Sequence, residues 1–342
     1  MAVSIAGSLD PAPLLALLAD GQPHSGEWLA QRLGVNRTAV RKAVLRLRDR
    51  GVEAGAVRGC GYALAGRVEL LDARAIRAVL SEAHAGRVHG LEIAFEVDST
   101  NTRLLAAAPP PAGGALVLLS ELQTAGRGRR GRRWAAPFGG SIALSMAWSF
   151  GDRAKVSPAL SLCAGVAVCR ALARAGAAGI GVKWPNDLWL NDRKVGGVLL
   201  ELRADAGGPA QVVIGIGLNV ALTRAARAEI EASGAAVAAI ADACSGVPSR
   251  NFIAGAIIDE LLSMLVDFER EGFSAWREAW SGLDVLRDRP AQVMLDEAIV
   301  RGTARGVDAQ GRLQLEREGR MQTFVSGEVS LRLGEAKLTD IE

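Results

Sequence analysis

Gly34 stands between two stretches that each carry their own helix signals, and this pairing constrains the N-terminal fold most tightly. Ser25 is placed to cap a helix over Gly26–Leu33, which Gly34 ends. Asn36 is placed to cap a second helix over 37–50, closed by Gly51. A shorter helix starts at Asp10-Pro11 and runs through Leu14, Leu15, Leu17 and Leu18. Short helices joined at a glycine turn form the helix-turn-helix pattern. Val40, Val44 and Leu47 make its inner stripe, with Arg46 and Arg48 mostly away from it. Residues 56–58 and 62–64 flank Gly59-Cys60-Gly61 and read as a small β-wing. Residues 1–66 are therefore expected to form a winged helix-turn-helix domain. Arginines would contact phosphates, and base edges would be read from Asn36, Arg37, Thr38, Arg41 and Lys42. A palindromic site would require a dimer. The competing reading is a helical docking domain with a solvated basic face.

Charge sharpens this picture. The net charge of the 342 residues is only +3, so the whole chain is not a polycationic nucleic-acid coat. The charge is uneven: residues 32–50 carry seven Lys/Arg against one acid, and 127–133 carry five arginines. Two basic patches suggest two anionic partners. The four cysteines, Cys60, Cys163, Cys169 and Cys244, make no CxxC pattern, which fits a reducing cytoplasm without a disulfide framework or zinc site. No signal-peptide pattern opens the chain, and no apolar run reaches the ~18 residues that span a membrane. His24, His84 and His89 lie outside every motif below, which argues against a histidine triad or a histidine-bound metal.

Residues 67–283 read as an α/β domain. Strands are expected at 91–97, 115–119, 141–148, 195–202 and 211–220, and helices at 157–174 and 252–271. The segment 224–243 is weakly helical. Trp276 and Trp280, four apart, read as core on a terminal helix. From 284 to 342 short β runs (291–295, 299–307, 313–316, 322–325) alternate with turns such as Asp308-Ala309-Gln310-Gly311. That is a small all-β unit, plausible as a compact barrel, expected to pack on the central domain because alone it would be marginal.

Four central segments carry candidate chemistry. Asp98-Ser99-Thr100-Asn101 follows a strand, and offers either a helix cap or short polar groups for a neutral ligand. Gln123 then precedes Gly126-Arg127-Gly128-Arg129-Arg130-Gly131-Arg132-Arg133-Trp134, with five arginines and three glycines in nine residues. Guanidinium forks suit phosphate or carboxylate, and glycines let the backbone approach a ligand. A solvated basic loop or a nucleic-acid patch is the alternative. The third segment, Lys183-Trp184-Pro185-Asn186-Asp187 through Lys194-Val195-Gly196-Gly197, reads as a strand, a break at Pro185, and a hairpin turning near Asn191-Asp192. Its lysines suit phosphate, and Asp187 suits magnesium. The fourth, Ile214-Gly215-Ile216-Gly217-Leu218-Asn219, lacks the third glycine of a dinucleotide fingerprint. No P-loop motif occurs.

Together these segments, the helix-turn-helix and the ending Gly327-Glu328-Val329-Ser330-Leu331-Arg332 resemble the bacterial bifunctional biotin protein ligases that also repress the biotin operon (BirA-type). The resemblance runs from about Leu14 to Leu333. It implies an α+β fold: winged helix-turn-helix, a mixed sheet like that of class II aminoacyl-tRNA synthetases, and an SH3-like C-terminal barrel. It implies biotin and MgATP as substrates, biotinyl-5′-AMP as intermediate and corepressor, and a lysine of biotin carboxyl carrier protein as acceptor. Operator DNA and a homodimer formed with bound adenylate complete the implied partners, with no membrane. Carried over by motif, Ser99, Thr100, Asn101, Gln123, Arg127, Gly128, Arg129, Lys194 and Gly197 would surround biotin. Arg132, Lys183, Asn186, Gly215, Gly217 and Asn219 would place ATP or the adenylate. Arg129, Lys183 and Lys194 would be catalytic, and Asp187 would hold Mg2+. One departure stands out: 223–243 has no aromatic residue where the family packs a tryptophan over the adenine, so aliphatic side chains are expected as the lid. A ligase without operator binding, a lipoyl or octanoyl transferase, and a repressor with a sensing ligase domain are the competing functions. The arginine loop beside the Lys183 segment favours biotin, and retention of both lysines and all loop arginines disfavours a sensor-only domain.

Overall fold

The structure is a computed structural model that describes residues 11–151, 157–204, 210–232, 234, 236–294, 299–325 and 330–333. Helices α1 (Pro11–Leu18), α2 (Gly26–Leu33) and α3 (Arg37–Asp49) precede a hairpin of β1 (Ala54–Val57) and β2 (Gly61–Leu64). The local signals act as expected. Ser25 Oγ accepts from Trp28 N at 3.1 Å, and Asn36 Oδ1 accepts from Ala39 N at 2.8 Å. Gly34 takes the left-handed conformation (φ 64°) that ends α2 and frees the chain to turn. Val40, Ala43, Val44 and Leu47 bury one face of α3 against α1 and α2. The sequence reading had Asp10 starting α1, but that residue lies outside the described residues.

Two short helices, α4 (Ala73–Arg77) and α5 (Glu82–Ala85), lead into the central unit. Its strands are β3 (Val88–Val97), β4 (Ala115–Gln123), β5 (Ser141–Phe150), β6 (Gly181–Lys183), β7 (Asp187–Leu190), β8 (Arg193–Ala204) and β9 (Ala210–Asn219). They form one seven-stranded sheet in the order β3-β4-β5-β9-β8-β7-β6, parallel only between β3 and β4. Its helices are α6 (Thr100–Ala106), α7 (Leu160–Arg174), α8 (Arg224–Glu231), α9 (Arg250–Glu271) and α10 (Arg277–Leu283). Helices α7 and α9 lie against one sheet face. There Ile142, Leu144, Met146 and Trp148 of β5 and Ile214, Ile216 and Leu218 of β9 form the main core. Trp276 and Trp280 are both buried in this core, as expected.

The 69–72 segment is stapled to the N-terminus of α9. Glu69 accepts from Ser249 Oγ and from Arg250 N, each at 2.6 Å. Arg250, almost fully buried, donates to the carbonyls of Glu69 (2.8 Å) and Ser141 (3.0 Å) and pairs with Glu121 at 2.8 Å. Glu121 in turn accepts from Leu71 N at 2.6 Å. The N-terminal core extends onto the central unit through Leu122, Phe95 and Phe138.

Strands β10 (Pro290–Met294), β11 (Ile299–Val307), β12 (Leu313–Arg317), β13 (Arg320–Phe324) and β14 (Ser330–Leu333) make a five-stranded antiparallel sheet, ordered β13-β12-β11-β10-β14. Ala291, Val293, Ala304 and Leu315 join the central core, so this unit packs as expected. Leu295 and the 327–329 stretch lie outside the described residues. At the junction, Asp284 Oδ1 accepts from Leu286 N, while Oδ2 is buried with no partner among the described residues. Burial pushes this carboxyl up to about 6 from 3.8. Its folded value is raised, so the stability it contributes is full below about pH 4 and is lost as pH rises through about 6. The separation corresponds to roughly 3 kcal/mol at most. Asp284→Asn is therefore expected to raise the urea midpoint at pH 7.5, with a smaller gain at pH 5. An equal gain at both pH values would show that charge burial is not the cause.

Candidate functional site

Strand periodicity builds the floor of the site. Side chains alternate faces along β5 and β9, so the core-facing row is large and the opposite row is small. That second row holds Ala143, Ser145 and Ala147 on β5, in register with Gly217, Gly215 and Val213 on β9. The two glycines face one side because they are two residues apart. A Cβ on Gly215 would lie 2.3 Å from Asn101 Oδ1, and one on Gly217 would lie 2.5 Å from the Trp134 indole. Both glycines are thus seats for site side chains. The family resemblance implied a different use for them, placing ATP or the adenylate.

Helix α6 begins on this floor. Ser99 is its N-cap, accepting from Thr102 N at 3.5 Å, and Ser99, Thr100 and Asn101 are all buried. The segment therefore caps a helix, and its polar side chains are buried on this floor. Gln123 Oε1 accepts from Thr100 N (2.9 Å) and Thr100 Oγ1 (3.2 Å). Ser145 Oγ donates to Thr100 Oγ1 at 2.7 Å or to Asn101 Oδ1 at 2.5 Å. Asn101 Nδ2 donates to Glu201 at 2.9 Å, and Glu201 also pairs with Arg127 at 2.9 Å. Glu201 therefore ties the floor to the arginine loop.

The loop folds back on itself. Trp134 N donates to Gly126 O at 2.8 Å and Gly128 N to Arg132 O at 2.7 Å. The reversal passes through Arg130 (φ 56°) and Gly131 (φ 72°), both left-handed. It brings Trp134 over Gly217, with Lys194 Nζ 5.8 Å from the indole centroid. Arg129 donates to Asn186 Oδ1 at 3.1 Å. Burial lowers the pKa of this guanidinium, opposed by the nearby Asp187 carboxylate. A cation stripped of part of its hydration favours an incoming anion.

The third segment makes two hairpins, where one was expected: β6–β7 closes around Trp184-Pro185, and β7–β8 turns on Asn191 and Asp192, both left-handed. Lys183 is buried with its Nζ 4.1 Å from the Trp189 ring centroid. Lys194 Nζ pairs with Asp187 at 2.7 Å. A strap at 236–238 runs beside Lys194, whose N donates to Ala236 O (3.0 Å) and whose O accepts from Ala238 N (2.9 Å). Asn219 Nδ2 donates to Ala238 O at 3.2 Å, leaving its buried Oδ1 without a partner among the described residues.

These parts enclose one cavity of about 770 Å3. It is lined by Ser99, Thr100, Asn101, Gln123, Arg127, Gly128, Arg129, Arg132, Lys183, Asn186, Asp187, Lys194, Gly197, Gly215, Gly217 and Asn219, so every central residue to which the resemblance gave a ligand role reaches it, while Asp98, Gly126 and Gly196 of the same segments do not line it. Seven cationic side chains line it, against the carboxylates of Asp187 and Glu229. Trp134 and Glu229, given no role in the sequence, also line it, as do Ile230 and Val237 from the 223–243 segment expected to supply aliphatic side chains. Ser145 and Glu201, which hold its floor, were missed as well, because strand pairing is what brings them in. Among the described residues no three His, Cys, Asp or Glu side chains group as a metal cage, and no helix is long and apolar enough to cross a membrane. Asn36, Arg37, Thr38, Arg41 and Lys42 are all exposed at the start of α3, apart from this cavity.

Residues 94–219 match the profile of the biotin/lipoate A/B protein ligase family, 292–332 the biotin protein ligase C-terminal domain, and 13–63 an HTH domain. The bifunctional ligase/repressor BirA of Salmonella typhimurium is 40% identical over 95% of this chain and 98% of its own length. That of Escherichia coli K12 is 39% identical over the same shares, 95% and 98%. Among solved structures, the biotin protein ligase of Aquifex aeolicus in complex with biotin and ATP aligns with a TM-score of 0.60 at 24% identity. It covers 72% of this chain and 100% of its own. At that identity it shows a shared fold.

Proposed function

We propose that this chain, which belongs to the bifunctional biotin ligase and repressor family, joins biotin to a carrier-protein lysine in two steps and represses transcription when loaded with the intermediate. It is a biotin protein ligase with a DNA-binding domain. In the first step a biotin carboxylate oxygen attacks the α-phosphorus of ATP and pyrophosphate leaves. In the second, the acceptor lysine amine attacks the acyl carbon and AMP leaves, giving an amide. The observation that carries this reading is the cavity, where a neutral hydrogen-bonding floor meets a wall of cations.

The floor suits the ureido ring of biotin: Ser99, Thr100, Asn101 and Gln123 supply donors and acceptors held by Ser145 and Glu201. Arg127, Gly128, Lys194 and Gly197 flank the valeryl chain and its carboxylate. Carboxylate and triphosphate repel each other, so Arg129, Arg132, Lys183 and Lys194 hold them together, which is catalysis by positioning and electrostatics. Asn219 Oδ1, buried and without a partner among the described residues, supports a role in accepting from the adenine amino group, with Asn186 anchoring the adjoining phosphate. Magnesium arriving with ATP needs few protein ligands beyond the phosphates, and Asp187 would supply one, releasing Lys194 to the biotin carboxylate. Ile230 and Val237 support the aliphatic lid over the adenine.

The domains follow the same reading: 1–66 for DNA, 67–283 for catalysis, and 284–342 as the C-terminal unit. Asn36, Arg37, Thr38, Arg41 and Lys42 meet operator DNA, and adenylate binding drives homodimerisation and operator occupancy as a population shift. The acceptor is the biotin carboxyl carrier protein, and the compartment is the cytoplasm.

Incubating the protein with biotin, MgATP and a carrier domain should release pyrophosphate and add one biotin mass to the acceptor. Absence of biotin-dependent pyrophosphate would sink the ligase reading. Equal affinity for DNA upstream of biotin-synthesis genes with and without biotinyl-AMP would remove the switch. The floor makes its own prediction. Gly215→Ala forces Asn101 aside and should raise the biotin KM about 10- to 100-fold, a loss of roughly 1.4–3 kcal/mol. The KM for ATP should change little, and equal changes in both would contradict the assigned place of Asn101.

A further inference from the structure

A second, separate cavity of about 140 Å3 lies between α10 and the C-terminal sheet. It shares no lining residue with the catalytic cavity. Arg277, Trp280 and Ser281 line it from α10, Arg287 from the segment that follows, and Arg305 and Gln314 from the sheet. No described carboxylate lines it. Arg305 is already matched by Asp288 at 2.6 Å and Glu316 at 2.7 Å. Arg287 donates to Ser281 Oγ and stands 3.9 Å from Asp288. Arg277 reaches the Val307 carbonyl only at 3.4 Å.

Trp280 supplies the independent observation. It is 1% exposed, and its indole N–H is buried with no acceptor among the described residues. A buried donor normally has a partner. Indole and guanidinium groups only donate, so an acceptor-rich ligand would complete this donor set. An oxyanion would satisfy the indole as water does and would also add charge opposite Arg277 and Arg287, the latter otherwise paired with Asp288 only at 3.9 Å. The cavity is small, about 140 Å3, a size that suits a small oxyanion.

We propose that this cavity binds a phosphate-sized oxyanion through the Trp280 indole N–H, Ser281, Arg277 and Arg287. The bound anion joins the last helix of the central unit to the C-terminal sheet. This site is additional to the ligase reading and stands or falls separately from it.

The test uses the full chain labelled with 15N at its seven indoles. Sodium phosphate is titrated at ionic strength held constant with sodium chloride. Trp280→Phe assigns the Trp280 signal by its loss, and matching variants assign Trp134 and Trp189. The expected result is a saturable shift of the Trp280 signal at millimolar phosphate, with at least a fivefold weaker apparent affinity in Arg287→Gln. Phosphate entering the catalytic cavity would instead move the Trp134 and Trp189 signals, so the two sites are read apart in one spectrum. If Arg287→Gln fails to fold, which the same spectrum shows, Arg277→Gln takes its place with the same expectation. A stationary Trp280 signal overturns the proposal. So does a shift that sodium chloride reproduces, or one that survives in the arginine variant.

Discussion

Arg129→Gly is expected to leave adenylate formation measurable while letting the adenylate escape about 10²-fold faster, the loss of one charge-assisted phosphate contact of roughly 2.7 kcal/mol. Arg129 is partly desolvated and oriented by Asn186, so it is already aimed into the cavity before any phosphate arrives. Without it, the mixed anhydride reaches bulk solvent and acylates whatever lysine it meets. Mass spectrometry of a bystander protein should show biotin on many lysines. Labelling that stays confined to the carrier domain would mean another group retains the adenylate, with Lys183 the next candidate.

Arg250→Met should cost about 3–5 kcal/mol of stability, because it strands the Glu121 carboxylate in a site where that side chain is 6% exposed. Chemical denaturation should show the loss as a lower midpoint. The double variant Arg250→Met, Glu121→Leu should recover much of it, since no charge is then left buried. A double variant as unstable as the single one would show that the carbonyl contacts of Arg250, to Glu69 and Ser141, carry the effect.

What the sequence revealed, and what it hid, follows from how far apart the partners lie. Caps and left-handed glycines act within one turn of chain, so Ser25, Gly34 and Asn36 were legible with their bounds almost unchanged. Strands with strong alternation were equally plain. Strand β6 is three residues long, too short to show a period, so the Lys183 segment read as one hairpin. Ser145 lies 44 residues from Asn101, and Arg250 lies 129 residues from Glu121. Neither contact can be inferred until the sheet order and the helices packed on it are known. The residues that line the large cavity could be picked out together because motif resemblance does not need that order. The reason for each glycine could not, because it depends on which side chain sits above it.

The alternation at the end of β4 has a practical consequence. Gln123 reaches the large cavity, while Leu122 beside it packs into the core of the N-terminal domain with Phe95 and Phe138. Cutting the chain after residue 66 would therefore leave a greasy wound one peptide bond from the cavity floor. A shortened ligase made that way needs new polar side chains at 95, 122 and 138. The reading head is a graft with roots in the enzyme.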